Sequence, residues 1–172
     1  QKWEKKKFMG NEIFGKTLGL IGLGRTGNEV AKRLLSFGMK VVAYDPFANA
    51  EVAKNNGIEL TTLDEVFKQA DYLSIHSPLT DDTRGMINKA NIAKMKDGVR
   101  IINCARGAII NDADLIEAVK SGKVANAALD VFVKEPPVDW SIQTTPNIIT
   151  TPHLAASTEE AQVKIAIEIR YS

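Results

Sequence analysis

Three polar side chains in this 172-residue chain have types suited to one chemistry: Arg106, Glu135 and His153. Histidine titrates near neutrality and can take a proton from a hydroxyl. Arginine presents a planar fork that matches a carboxylate. A carboxylate beside the histidine would orient it and favour its protonated form. A base and a carboxylate-holding cation are what the oxidation of a hydroxy acid requires. Spacing alone leaves the trio open, since any of the three could be a surface charge. Each follows a stretch that reads as a β-strand, however, and in open parallel sheets ligands bind beyond the carboxyl ends of the strands.

The elements that must position them alternate along the chain. Strands are predicted near Thr17–Gly22, Lys40–Asp45, Ile58–Thr61, Asp71–His76, Val99–Asn103, Val124–Asp130 and Asn147–Thr151. Helical or loop stretches separate them. Gly27, Val30, Ala31 and Leu34 form one stripe at helical spacing, and Gly38 supplies the stop. Thr62 with Glu65 and Ser157 with Glu160 read as capping boxes. Asn111 begins a helix that Gly122 ends. This βαβα alternation predicts an α/β fold: a Rossmann-type, doubly wound, mostly parallel sheet of about seven strands. Val133–Pro146, with Pro136-Pro137, is the longest irregular stretch, and long loops in compact domains are often functional.

Gly22-Leu23-Gly24-Arg25-Thr26-Gly27 is a G-x-G-x-x-G that follows the apolar strand and opens the first helix. Gly22 permits the tight turn, Gly24 lets backbone approach a pyrophosphate, and Gly27 lies on the buried helix stripe. Free N–H groups at the helix start would face the phosphates. Asp45 stands 18 residues after Gly27, at the end of the second strand. A carboxylate there can accept from both ribose hydroxyls and repels a 2′-phosphate, which favours NAD over NADP. Asp45 before Pro46 also reads as an ordinary turn residue.

Composition sets the frame. Basic and acidic residues number 22 and 21, for a net charge of +1, which argues against a general nucleic-acid or membrane-surface binder. The lone cysteine, Cys104, excludes an internal disulfide and fits a reducing, cytoplasmic compartment. Two histidines and one cysteine without ligand spacing give no support for a metal site. The chain opens on Gln1, so it reads as cut from something longer. Residues 1–14, with Trp3 and Lys5-Lys6-Lys7, read as an entry segment.

The segments Gly22–Gly27, Asn103-Cys104-Ala105-Arg106-Gly107, Ala128-Leu129-Asp130-Val131-Phe132 with Glu135-Pro136, and Thr151-Pro152-His153-Leu154 resemble the D-isomer-specific 2-hydroxyacid dehydrogenases. The resemblance runs from Trp3 to Tyr171. Trp3-Glu4 with Lys7-Phe8-Met9-Gly10, Ser36-Phe37-Gly38-Met39-Lys40 and Tyr44-Asp45-Pro46 narrow it to members acting on a phosphorylated three-carbon acid. It implies that residues 1–172 are an NAD-binding domain, that the substrate domain lies outside the chain, and that copies associate through this domain. It implies that Arg106 holds the substrate carboxylate, that His153 takes the hydroxyl proton, and that Glu135 hydrogen-bonds His153. Arg25 and Thr26 would sit at the pyrophosphate and Asp45 at the adenine ribose. Ser77, Cys104, Ala105, Asp130, His153 and Ala156 would line the ribose and nicotinamide region, with Asp130 supporting the nicotinamide amide. Related alternatives are a glycerate or hydroxypyruvate reductase, and a dinucleotide-sensing transcriptional corepressor that keeps the same Arg, Glu and His.

Thr26, Ala108 and Ala155 depart from the family pattern, and Ala155 stands where glycine often follows the His-Leu pair. It is harmless if its φ is negative. His76 reads as a pocket wall more than a second base. Cys104 reads as buried or backbone-contacting, with a pKa that nearby Arg106 could lower. Trp3 and Trp140 read equally as subunit interface or as simple packing.

Overall fold

The computed structural model describes Glu4, residues 9–163 and Ile167. Trp3 and Lys5-Lys6-Lys7 lie outside the described residues. Seven strands form one sheet in the order β3-β2-β1-β4-β5-β6-β7, and every neighbouring pair is parallel. The strands are β1 (Thr17–Ile21), β2 (Lys40–Tyr44), β3 (Ile58–Leu60), β4 (Tyr72–Ile75), β5 (Val99–Asn103), β6 (Val124–Leu129) and β7 (Ile148–Thr150). Helices α1 (Arg25–Ser36), α2 (Ala50–Asn55), α3 (Leu63–Gln69), α4 (Lys89–Lys94), α5 (Asp112–Ser121) and α6 (Ser141–Thr144) occupy the crossovers. The order runs outward from β1 to β3, then jumps back to β4 on the other side of β1. That reversal is the topological switch point, where a crevice opens between diverging connections.

The sheet is covered on both faces. Leu18, Leu20, Val41 and Ala43 pack with Ala31 of α1, while Ile21, Val42, Leu73 and Ile75 pack with Val66 and Phe67 of α3. Alternating residues of one strand thus feed opposite cores. A Cβ at Gly19 would lie 2.8 Å from the Ala70 Cβ, so α3 approaches β1 closely because that position has no side chain.

Most predicted strands run one residue too far, and the reason is visible in the ladder. Gly22, His76, Asp130 and Thr151 each donate their N–H to the last carbonyl of a neighbouring strand, and Thr61 donates to the last but one of β2. Their own backbone then turns away, so they are bonded on one side only. Several of them stand at the carboxyl edge near the glycine turn and the His153 loop.

Helix caps follow the sequence with two corrections. Asn111 caps α5 through the Asp114 N–H, and Gly122 ends it in the left-handed region at φ 81°. Thr62 caps α3 through the Glu65 N–H, but Glu65 turns to Lys68 at 2.6 Å, so the box is half formed. Thr158, not Ser157, caps the last helical stretch, because its hydroxyl accepts the Ala161 N–H at 3.1 Å. Within Val133–Pro146 the chain forms α6. Among the described residues, no helix is long and apolar enough to cross a membrane.

Candidate active site

The glycine turn sits at the switch point. A Cβ on Gly22 would lie 2.8 Å from the backbone of His76 and Ser77, so the turn is pressed against the end of β4. Its φ of +94° also favours glycine. A Cβ on Gly27 would lie 2.3 Å from the Gly22 carbonyl oxygen. The missing side chain therefore lets α1 start directly behind the turn. A Cβ on Gly24 would meet nothing within 4 Å, so that backbone faces open space. No side chain caps the start of α1, and Arg25 and Thr26 are exposed there. The first-turn N–H groups are consequently available to an anion.

Asp45 is half-buried and does more than the sequence suggests. Its Oδ2 accepts the Leu23 N–H at 2.7 Å, and its Oδ1 accepts the Phe47 N–H at 2.8 Å. The carboxylate ties the glycine turn to the end of β2, and the turn reading holds as well. Each oxygen retains a lone pair for a hydroxyl. Across the switch point, the Ser77 hydroxyl is buried with no hydrogen-bond partner. A buried hydroxyl without a partner is costly, and a bound polar ligand would supply one. The open Gly24 backbone, the uncapped helix start, the Asp45 lone pairs and the Ser77 hydroxyl fit a dinucleotide.

His76 is a wall of this region. Its Nε2 lies 2.9 Å from the Ser74 hydroxyl, and burial pushes its pKa below the ordinary 6.5.

Beyond the ends of β5, β6 and β7, the sheet brings the polar trio together. Arg106, Glu135 and His153 line one cleft of about 260 Å³ with Leu79 and Phe132. His153 Nδ1 lies 2.6 Å from Glu135 Oε2. The His153 contact, together with the Phe132 N–H on Oε1, holds the Glu135 carboxyl below its usual 4.5. An ionised carboxylate only accepts, so Nδ1 carries the proton and Nε2 is left for proton transfer. A second cavity of about 470 Å³ lies beside the same pair, lined by Trp140, Phe132 and Pro137; Trp140 is exposed.

His153 has a φ of 53°, in the left-handed region. A non-glycine residue held there costs about 1–3 kcal/mol and persists only where the surroundings impose it. Asp130 supplies much of that constraint. Its carboxylate accepts the Thr151 hydroxyl, the Leu154 N–H at 2.9 Å and the Ala155 N–H at 2.9 Å. Burial raises its pKa, but these three bonds and the nearby His153 outweigh it and leave the carboxyl below 3.8. Arg106 is exposed, and its Nη1 donates to the Ala105 carbonyl. Asn103, almost fully buried, holds that turn from below. Neither clamp is legible as such in the sequence. The available signal is a polar residue at the end of a largely apolar strand.

Cys104 corrects an expectation. The residues of β5 alternate between inside and outside, with Asn103 inside, so Cys104 falls outside and is exposed. Partial desolvation and the Asp130 carboxylate push its thiol above 9.0, against the lowering expected from Arg106. Ala105 is half-buried and Ala156 exposed. Among the described residues the positive-φ non-glycine residues are Asn147 and His153, so Ala155 adopts its place without that strain. Among the described residues, no three His, Cys, Asp or Glu side chains gather as a metal site.

A dinucleotide cradle at the switch point, with proton-transfer groups beyond β6 and β7, describes a nicotinamide-dependent dehydrogenase domain. The chain belongs to the D-isomer-specific 2-hydroxyacid dehydrogenases, whose NAD-binding domain matches residues 1–155. It is 51% identical over 169 residues to the D-3-phosphoglycerate dehydrogenase of Bacillus subtilis, covering 98% of this chain and 32% of that protein. It is 52% identical over 171 residues to the hydroxypyruvate reductase of Thermotoga maritima, covering 98% and 55%. Among solved structures, it resembles the D-lactate dehydrogenase of Aquifex aeolicus complexed with NAD and lactic acid. That similarity has a TM-score of 0.87 and 36% identity, over 95% of this chain and 54% of the other. The chain thus spans about a third of the D-3-phosphoglycerate dehydrogenases it matches.

Proposed function

We propose that this chain is the cofactor-binding half of an enzyme that oxidises 3-phosphoglycerate to 3-phosphohydroxypyruvate, the opening step of L-serine biosynthesis. The observation that carries the reading is the His153–Glu135 pair sharing one cleft with Arg106. Relatives named D-3-phosphoglycerate dehydrogenase at about half identity support the substrate.

The hydride acceptor in this reaction would be supplied by NAD. Gly22, Gly24, Arg25, Thr26 and Gly27 would hold its pyrophosphate, and Asp45 would hold the adenine ribose. Ser77, Cys104, Ala105, Asp130, His153 and Ala156 would line the ribose and nicotinamide region. Arg106 binds the substrate carboxylate through its fork and polarises the reacting carbon–oxygen bond. As the carbon–hydrogen bond gives up its hydride, His153 Nε2 takes the hydroxyl proton and a carbonyl forms. Glu135 stabilises the imidazolium that results. A positioned base of this kind contributes about 10²–10⁴-fold to the rate. Groups that grip the substrate phosphate lie in a substrate domain outside this chain. The enzyme is cytoplasmic and associates with its own kind through this domain.

The Thermotoga relative supports a second reading, reduction of hydroxypyruvate by the same site. Turnover by the full-length protein of 3-phosphoglycerate, D-glycerate, D-lactate and, in reverse, hydroxypyruvate decides between them. The highest kcat/KM is expected for 3-phosphoglycerate. Preference for glycerate and hydroxypyruvate would transfer the assignment.

A further inference from the structure

Two polar side chains sit almost fully buried at the carboxyl edge of the sheet: Asn103 at 1% exposure and Asp130 at 4%. Burying an amide or a carboxylate is costly unless its atoms are hydrogen-bonded. Apolar residues would serve stability alone at least as well. What these two bond to is therefore informative.

Asn103 ends β5. Its Oδ1 accepts the Ala105 N–H at 3.0 Å, and its Nδ2 donates to the Arg106 carbonyl at 3.0 Å. Both side-chain bonds go to the turn that carries Arg106. Asp130 follows β6 and binds Thr151, Leu154 and Ala155, the residues that bracket His153 on either side. Its three side-chain bonds go to the turn that carries His153. The two clamps are themselves joined, since the Asp130 N–H donates to the Asn103 carbonyl at 3.0 Å. The Arg106 turn also packs against the segment that follows Asp130: a Cβ on Gly107 would lie 2.0 Å from the Phe132 carbonyl carbon.

We propose that Asn103 and Asp130 form a pair of positioning residues that fix the Arg106 turn relative to the His153 turn. The proposal rests on the reading of Arg106 as substrate cation and His153 as base. Asn103 holds the group that binds the carboxylate, and Asp130 holds the group that moves the proton. Misplacing a reacting group by about 1 Å costs on the order of 10²-fold in rate. Asp130 also faces Cys104 and His153, but its loop contacts are what the test addresses.

The test uses the full-length enzyme and steady-state kinetics with NAD and 3-phosphoglycerate. Asp130→Asn replaces an acceptor oxygen by an N–H₂ group facing N–H or O–H donors. It should lower kcat by about 10- to 100-fold with little change in KM for the hydroxy acid. Asn103→Ala should instead mainly raise that KM. Thr151→Val removes one of the three bonds on Asp130 and should act in the same direction as Asp130→Asn, but more weakly. It keeps the proposal testable if Asp130→Asn folds poorly. The decisive comparison is a double-mutant cycle. On a His153→Ala background, Asp130→Asn should lower kcat no further. If it multiplies the His153→Ala loss undiminished, Asp130 does not act through the histidine and the proposal falls. Equal effects of the Asn103 and Asp130 variants on kcat and KM would mean general loosening and would also overturn it. If His153→Ala alone leaves kcat intact, the reading of the site has failed instead, and the positioning role falls with it.

Discussion

Replacing Gly27 by alanine should cripple the cofactor site through backbone displacement. The added Cβ would stand 2.3 Å from the Gly22 carbonyl oxygen, where ordinary contact begins at 3.4 Å, so something must yield by about 1.1 Å. The turn cannot recede into the sheet, because a Gly22 Cβ would already lie 2.8 Å from the His76 and Ser77 backbone. The start of α1 must therefore lift, and with it the N–H groups that face the pyrophosphate. Overpacking of this kind costs about 1–3 kcal/mol of stability. A comparable loss of binding energy lowers NAD affinity by about ten- to a hundredfold. Calorimetric titration with NAD, paired with thermal unfolding, measures both. Gly24→Ala is the comparison: its Cβ meets no protein atom within 4 Å, so stability should stay within about 0.5 kcal/mol of wild type. NAD affinity should still fall, because the methyl occupies the space where a phosphate approaches. Wild-type NAD affinity in Gly27→Ala would refute the packing argument. Unchanged affinity in Gly24→Ala would show that the pyrophosphate lies elsewhere.

Asp45→Ala should shift cofactor preference away from NAD by about 1–3 kcal/mol, the scale of charge-assisted hydrogen bonds. It should also weaken ligands that lack the ribose diol, since the Leu23 and Phe47 N–H groups lose their acceptor; equal NAD and NADP affinity in the wild type would contradict this. His76 is held neutral by burial, with its pKa below 6.5, whereas the unfolded chain takes up the proton at the ordinary value. Stability should therefore decline as pH falls below 6.5 and level off below the depressed folded value. In His76→Gln, urea titrations at about pH 7 and about pH 5 should lose part of that difference, and an identical decline would exclude the histidine as its source. The 172-residue chain should bind NAD and AMP in calorimetry yet produce no NADH from 3-phosphoglycerate, because the substrate domain proposed to close the cleft lies outside these residues. Clear NADH production would place the substrate site within this chain.

Much of this protein is local and therefore legible in its sequence. The strands announce themselves through short apolar runs, and the glycine turn through its spacing between β1 and α1. Asn111 and Gly122 mark α5 because caps act over three or four residues. The alternation of strands and helices determined a parallel sheet, since parallel neighbours need a crossover. Residue type alone nominated Arg106, Glu135 and His153.

What only the tertiary structure decided depends on side chains reaching across the chain. Asp45 is a ribose candidate by position, but its hold on Leu23 spans 22 residues and follows from β1 and β2 lying side by side. The inward face of β5 turned Cys104 outward and Asn103 inward, which reversed the expectation for the cysteine. The left-handed backbone of His153 is imposed by Asp130, more than 20 residues earlier in the chain. Periodicity and spacing report what a residue can do with its neighbours along the chain. The direction of a buried carboxylate's bonds is set by which strand ends the sheet brings together, and that information exists only once the sheet has formed.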